Sequence, residues 1–237
     1  MRIIIWNCQN GISRREQVSI LQNLKPDLAI IPEMKQSNID IIKPDRSIWQ
    51  TNNHSNKYPK GLGILSFNGV EISLLEFDKD MEIYLPIKVA FKNISFNLLA
   101  VWNFYYACKQ GRFKGVKGEN CLEWSAIRYY TKILKPPLLI GGDWNFGPTF
   151  STKAFVDMCN RFETNHIKSL YHNFYNLDFN ESKHSSFRHS SGKLHHLDHF
   201  FGSSFFYKNI IDYHIPTFDE VVLSDHTPII LDLEITQ

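Results

Sequence analysis

The chain has 237 residues and a mass of 27.7 kDa, a length that suits one domain, since single cores grow to roughly 250 residues before chains split. Hydrophobic residues make up 43% and charged residues 21%, with 12 Gly and 10 Pro, which excludes collagen, low-complexity disorder and coiled coil. A net charge of +2 supplies no global field toward a polyanion or an anionic membrane, so either would have to be met by a local basic patch.

Cys8, Cys108, Cys121 and Cys159 form no CxxC pair, which argues against a zinc site and against a disulfide-stapled fold, and fits a reducing compartment. The opening run Ile3-Ile4-Ile5-Trp6 ends at Asn7, too early for a signal peptide, and no apolar run approaches the roughly 20 residues of a membrane span. The expectation is a soluble, cytoplasmic, single-domain protein over residues 1–237, without a membrane partner and monomeric.

In chain order, Arg2 to Trp6 reads as a buried strand, Val18, Leu21 and Leu24 as one helical face, and Leu28 to Ile31 as a second strand, a βαβ opening that implies a parallel pair. From Leu62 to Phe67, Val70 to Phe77, Ile83 to Phe91 and Ser95 to Trp102 the pattern predicts antiparallel hairpins across Asn68-Gly69, Asp78-Lys79-Asp80 and Lys92-Asn93. A helix is expected over Glu119 to Leu134, stopped by Pro136-Pro137, then an apolar run from Leu138 to Ile140 and a helix over Thr152 to Phe162. Residues 165–193 read as a long loop, with strands around Leu194 to Gly202 and Thr227 to Ile235. The class is α/β or α+β, mixed sheets with helices packed outside.

Three apolar runs end in polar groups: at Asn7, at Pro32-Glu33 and at Gly142-Asp143-Trp144-Asn145. In open α/β sheets the carboxyl ends of the strands form the ligand edge, so the three ends belong together. Asp225-His226 precedes the last strand and joins that edge if the strand runs antiparallel, and Asp198 stands where a strand prefers an apolar residue. Taken singly, an Asn after a strand is a turn former and an exposed acid is solvated. Together, carboxylates converging on one edge repel one another unless a cation sits among them, and hard oxygen ligands suit Mg²⁺ or Mn²⁺. A metal beside a His is equipment for phosphoryl transfer.

The order Trp6-Asn7, Pro32-Glu33, Gly142-Asp143-Trp144-Asn145, Leu197-Asp198-His199-Phe200-Phe201 and Ser224-Asp225-His226-Thr227-Pro228 resembles the endonuclease/exonuclease/phosphatase family, which includes deoxyribonuclease I, across nearly the whole chain. The resemblance implies a four-layer α/β/β/α sandwich, two mixed sheets face to face with helices outside. It makes Glu33 the principal Mg²⁺ ligand, with Asn7 and Asp225 completing the metal side. Asp143 would orient or deprotonate the attacking water, Asn145 would hold a phosphate oxygen, and His226, kept cationic by Asp198, would donate to the phosphoryl oxygen. The implied reaction is in-line hydrolysis of a phosphoester without a covalent intermediate.

The chain departs from the family after the strand Leu98 to Val101, where Trp102-Asn103 stands in place of a His or Tyr. Indole donates one hydrogen bond but moves no proton at neutral pH, so leaving-group assistance falls to metal-bound water, Asn103, Tyr105 or Tyr106. Half of the ten histidines lie between His184 and His199; strand alternation puts His196 with Asp198 on one face and turns His195 and His199 away, which favours packing over a metal tract and brings His196 toward a phosphate. Ser186 and Arg188 are expected phosphate contacts. Lys109, Arg112, Lys114 and Lys117, with Tyr105, Tyr106 and Phe113 nearby, form a basic aromatic segment that suits a nucleic-acid backbone.

Three functions remain open on the sequence. A Mg²⁺-dependent nuclease on DNA or RNA leads, followed by a phosphodiesterase or phosphatase for a small substrate such as a nucleotide, cyclic oligonucleotide or sugar phosphate. A catalytically silent binding protein is disfavoured because Asn7, Glu33, Asp143, Asn145, Asp198, Asp225 and His226 are all present.

Overall fold

The first apolar run is buried and forms strand β1 (Arg2–Ile5); helix α1 (Arg15–Leu24) then turns the chain so that β2 (Leu28–Met34) lies parallel to it, Ile3 opposite Leu28 and Ile5 opposite Ile30. Val18 and Leu21, three residues apart, are the buried face of α1. The computed structural model describes residues 1–9, 12, 14–51, 60–81, 83–103, 111–221 and 223–235. Two elements that the sequence pattern does not announce follow: helix α2 (Asn38–Ile42) and strand β3 (Arg46–Thr51), a sheet edge whose side chains are all exposed or half-buried and carry no clean alternation.

Strand β4 (Gly61–Ser66) pairs antiparallel with both β2 and β3. Both of its edges are therefore taken, and the hairpin expected across Asn68-Gly69 does not form. The turn instead carries the chain into a second sheet, where β5 (Glu71–Leu74), β6 (Tyr84–Phe91) and β7 (Ile94–Trp102) do make the expected antiparallel ladders. Helix α3 (Leu122–Ile133) leads into β8 (Leu138–Asp143), parallel to β7, and helix α4 (Thr152–Glu163) follows.

The stretch expected as a loop holds β9 (Lys168–Ser169), α5 (Leu170–Tyr175) and β10 (Phe187–Arg188). Helix α5 is built from aromatic and imidazole side chains, which hides it from an aliphatic period. The strand expected around 194–202 is broken into β11 (Leu194–His195) and β12 (Asp198–Gly202); α6 (Ser204–Lys208), β13 (Ile210–His214) and β14 (Ile229–Leu233) complete the chain.

The sheets run β13-β14-β1-β2-β4-β3 and β5-β6-β7-β8-β12-β9, with β10-β11 as a separate ribbon. Each large sheet has one parallel pair, β1/β2 or β7/β8, with antiparallel neighbours on both sides. Alternation along β1 and β2 sends Ile3, Ile5, Leu28 and Ile30 into the core shared with the second sheet and Ile4, Ala29 and Ile31 outward with Val18, Leu21 and Ile42 of the helices. A Cβ at Gly141 would strike Phe200 and approach Ile30, so this glycine lets the sheets close on each other. On the far side, Phe201 packs on Phe155 and Phe162 of α4. The architecture is the four-layer α/β/β/α sandwich. Cys8, Cys121 and Cys159 are unpaired, and no helix among the described residues is long and apolar enough to cross a membrane.

Candidate active site

The pairing pattern decides where the polar strand ends meet. The carboxyl ends of β1, β2, β7 and β8 carry Asn7, Glu33, Asn103 and Asp143. Antiparallel β14 begins opposite the end of β1, Ile229 against Ile5, and antiparallel β12 begins opposite the end of β8, Asp198 against Asp143. His226 and Asp198 thereby enter the same edge from strand beginnings.

Local backbone chemistry presents these groups. Gly142, at φ +153°, has no room for a Cβ against the Val101 carbonyl, so glycine lets β8 run close beside β7 up to Asp143. Between Ile31 and Met34 the β2/β4 register slips; Pro32, lacking an N–H, suits the slip, and Glu33 follows in the left-handed region at φ +59°. Asn145 is left-handed too, at φ +53°. Non-glycine residues held there are costly and gather at functional sites.

Asp143 is fully buried, accepting from Asn7 Nδ2 at 3.1 Å and from the Asn145 backbone N–H at 3.0 Å. Asn145 Nδ2 donates to the Asn103 carbonyl at 2.6 Å, and Asn103 Nδ2 to the Trp144 carbonyl at 3.2 Å, which locks the turn after β8. His226 Nδ1 lies 2.8 Å from Asp198 Oδ2, with both side chains buried. The Trp6 indole donates to the His226 carbonyl at 3.2 Å, and Ser224 Oγ accepts from the His226 N–H at 3.1 Å while donating to the Asn7 carbonyl at 2.8 Å. Among the described residues, Asp143, Asp198 and His226 are the one trio of His, Cys, Asp or Glu whose ligand atoms all lie within 4.8 Å of one another.

Burial first, then the neighbouring Asp198 charge, pushes the Asp143 carboxyl up to about 7. Burial opposes a charge on His226 as well, but Asp198, by charge and hydrogen bond, together with Asp143 and Asp225, lifts it to about 9. The pair is thus divided in role at neutral pH: an imidazolium that can donate from Nε2 beside a carboxylate basic enough to take a proton.

The remaining expected site residues are placed less uniformly. Glu33 stands outside the trio, its carboxylate paired with Lys60, and Asp225 is half-buried with Oδ1 3.3 Å from Ser224 Oγ. Trp102 pairs in register with Asp143 but is 3% exposed and belongs to the core, which leaves almost no ring surface for a substrate. Ser186, expected on a phosphate, is fully buried: Oγ donates to Asp198 Oδ2 at 2.7 Å and accepts from the N–H groups of Leu197 and Asp198. Its work is to orient Asp198. Arg188 is exposed, its guanidinium 4.4 Å from the Phe218 ring. Arg112 is held by Asp78 and Asp80 and packs on Phe113, so acids from before β6 neutralise part of the basic segment; Lys114 and Lys117 are exposed, and Lys109, Tyr105 and Tyr106 lie outside the described residues.

His196 corrects the alternation argument. The chain leaves strand geometry between β11 and β12, so His196 and His199 do not diverge; their rings meet at 4.4 Å. His196 is fully buried, Nδ1 2.9 Å from Ser182 Oγ and its ring against Tyr171, and reaches no phosphate. His172 sits nearby, Nδ1 2.7 Å from Ser169 Oγ. Burial pulls His172 down to about 4, His196 to about 3 and His199 well below its ordinary value. Their folded values lie below the unfolded value of about 6.5, so the unfolded chain binds more protons and stability falls as pH drops through the window from about 6.5 to about 4. At pH 5 a shift like that of His172 costs about 2 kcal/mol relative to neutral pH. Asp143 and His226, raised rather than lowered, act with the opposite sign, and the His226 contribution that remains without Asp143 is smaller than the three lowered histidines together. The expected result is therefore a falling melting temperature from pH 7.5 to pH 5 in an Asp143→Asn background; a flat curve there would show that these histidines are not held neutral by the fold.

Lys60 and the positioning role of Ser186 escape the sequence. Trp6 stands beside Asn7 in the motif order, but nothing in the sequence couples residue 6 to residue 226 or residue 60 to residue 33.

No family model and no curated protein sequence matches the chain. Solved structures do. An AP endonuclease from Leishmania major, LMAP, aligns over 99% of this chain and 88% of its own at 13% identity and a TM-score of 0.70. The 3'-5' exonuclease NExo from Neisseria meningitidis aligns over 99% and 100% at 15% identity and a TM-score of 0.66. A Leptotrichia buccalis protein described as belonging to the endonuclease/exonuclease/phosphatase family aligns over 99% and 100% at 12% identity and a TM-score of 0.66. The alignments run over nearly the full length of both chains, and the chain has the fold of the endonuclease/exonuclease/phosphatase family.

Proposed function

We propose that this protein is a divalent-metal-dependent phosphodiesterase, a nuclease that hydrolyses DNA or RNA by in-line attack of an activated water. The observation that carries the reading is the buried Asp143, Asp198 and His226 trio, joined to Asn7 and Asn145 on one sheet edge. Support comes also from neighbours of the same fold that are named as nucleases, and from NExo described as a 3' phosphatase bound to a product DNA hairpin.

In this reading Asp143 orients the attacking water and accepts its proton. Asn145, with one Nδ2 hydrogen committed to the Asn103 carbonyl, offers the other to a phosphate oxygen. His226 donates from Nε2 to the phosphoryl oxygen where negative charge grows, held there by Asp198, which Ser186 in turn orients.

The edge fits a hard dication by its own chemistry. Asp143 and Asp198 share a single cationic neighbour, and Asp198 Oδ1 is buried without a hydrogen-bond partner. Glu33 (now paired with Lys60), Asp225 and the Asn7 side-chain carbonyl are the oxygen donors that would hold Mg²⁺ or Mn²⁺. When bound, the ion supplies charge neutralisation and polarisation of the phosphoryl group.

Labelled single- and double-stranded DNA and RNA, incubated with Mg²⁺, Mn²⁺ or EDTA, test the reading. Cleavage is expected with metal, lost in EDTA and lost in His226→Ala. Polymers left intact with every metal would end the nuclease assignment, and turnover of nucleotides or sugar phosphates in its place would establish the small-phosphoester alternative.

A further inference from the structure

Next to the catalytic edge lies an open cleft of about 510 Å³, a size typical of small-molecule sites. It shares Asn103 and Asn145 with the candidate active site, so whatever fills it is continuous with the reacting phosphate. Its walls are Trp124 and Ile127 of α3 and Phe146 and Phe150 of the turn after β8. Phe150 is 50% exposed, a large aromatic ring that folding alone leaves uncovered at the mouth. The Arg161 guanidinium lies 4.3 Å from the Trp124 ring and steadies that wall.

One wall is acidic. Glu123 lines the cleft beside Cys121 and is paired with no cation among the described residues. An uncompensated carboxylate repels phosphate, so the occupant is neutral there. A carboxylate accepts and never donates, so the occupant offers N–H groups. Aromatic walls call for a flat ring, because stacking on Phe or Trp is available to every base. Among the bases, guanine alone places two N–H donors, the ring N1–H and the exocyclic amino group, side by side to match both carboxylate oxygens. Adenine and cytosine put an acceptor beside their amino group, and uracil and thymine flank their one N–H with carbonyls.

We propose that this cleft is a subsite for one unstacked nucleobase of the substrate and that Glu123 selects guanine in it. The inference rests on the phosphodiesterase reading and narrows its substrate to a nucleic acid read at one base beside the scissile phosphate.

Cleavage mapping on end-labelled mixed-sequence oligonucleotides tests it, with wild type, Glu123→Gln and Phe150→Ala compared. Cuts beside guanine are expected to dominate by about tenfold or more. Glu123→Gln flattens the preference, and Phe150→Ala raises KM by about tenfold, while an oligonucleotide with an abasic residue at the preferred position is cut equally by all three proteins. Wild-type cleavage that ignores the base, with both variants matching it, would overturn the subsite and leave the phosphodiesterase standing. If the wild type cuts no phosphoester, the parent reading falls and the cleft is decided by binding. Saturable tryptophan quenching by guanosine monophosphate, absent with ribose 5-phosphate and lost in both variants, supports it; no saturation, or an equal response to ribose 5-phosphate, overturns it.

Discussion

Asp143→Asn is expected to lower kcat by about 10²- to 10⁴-fold, the range a positioned general base contributes, while the protein melts at the same temperature or higher. Both halves follow from one environment. Asp143 is fully buried, lies in register against Asp198, and has its carboxyl pushed up to about 7 by burial and by that neighbouring charge. A carboxylate so placed destabilises the fold at neutral pH and is useful only for what it does to a bound proton. The amide keeps the shape, removes the buried charge and cannot accept a proton. Activity assays and thermal melts on the same preparation check the pair of outcomes. Retained turnover would remove Asp143 from the chemistry, and a large drop in melting temperature would show that the carboxylate is structural.

The second expected result concerns Asp198 and His226. Singly, His226→Ala and Asp198→Asn are each expected to cost about 10²- to 10³-fold in kcat/KM, the scale of losing one preorganised donor to a developing charge. Together they are expected to cost little more than the worse single change, because Asp198 acts through the imidazole it holds at 2.8 Å. A pH profile separates positioning from mere structural damage. With Asp198 charged, His226 is lifted to about 9 despite its burial; with Asn at 198, burial acts with less opposition, and the alkaline limb of kcat/KM moves to lower pH. Multiplying losses and an unmoved limb would dissolve the dyad. Ser186 belongs to the same argument, since its hydroxyl meets the Asp198 carboxylate and the N–H groups on either side of the 197–198 peptide.

The sequence by itself determined the layered class, the parallel β1/β2 pair, the helices α1, α3 and α4, and the polar strand ends at Asn7, Glu33, Asp143 and Asn145. These are legible because each rests on a local rule: an apolar run is buried, a period of three or four makes a helical face, and a polar group after a buried run marks an end. Tertiary structure alone decided the rest. That β4 has both edges occupied, so that Asn68-Gly69 crosses between sheets, is a fact of strand order. That His196 packs on His199, that Ser186 serves Asp198, that Glu33 meets Lys60 and that Trp102 is core depend on which distant segments share a space. Burial is a property of that assembly. It raises the Asp143 carboxyl to about 7, and against it the Asp198 carboxylate that the fold sets beside the imidazole lifts His226 to about 9, because both the cost of removing a charge from water and the charges that offset it are set by what the whole fold packs together.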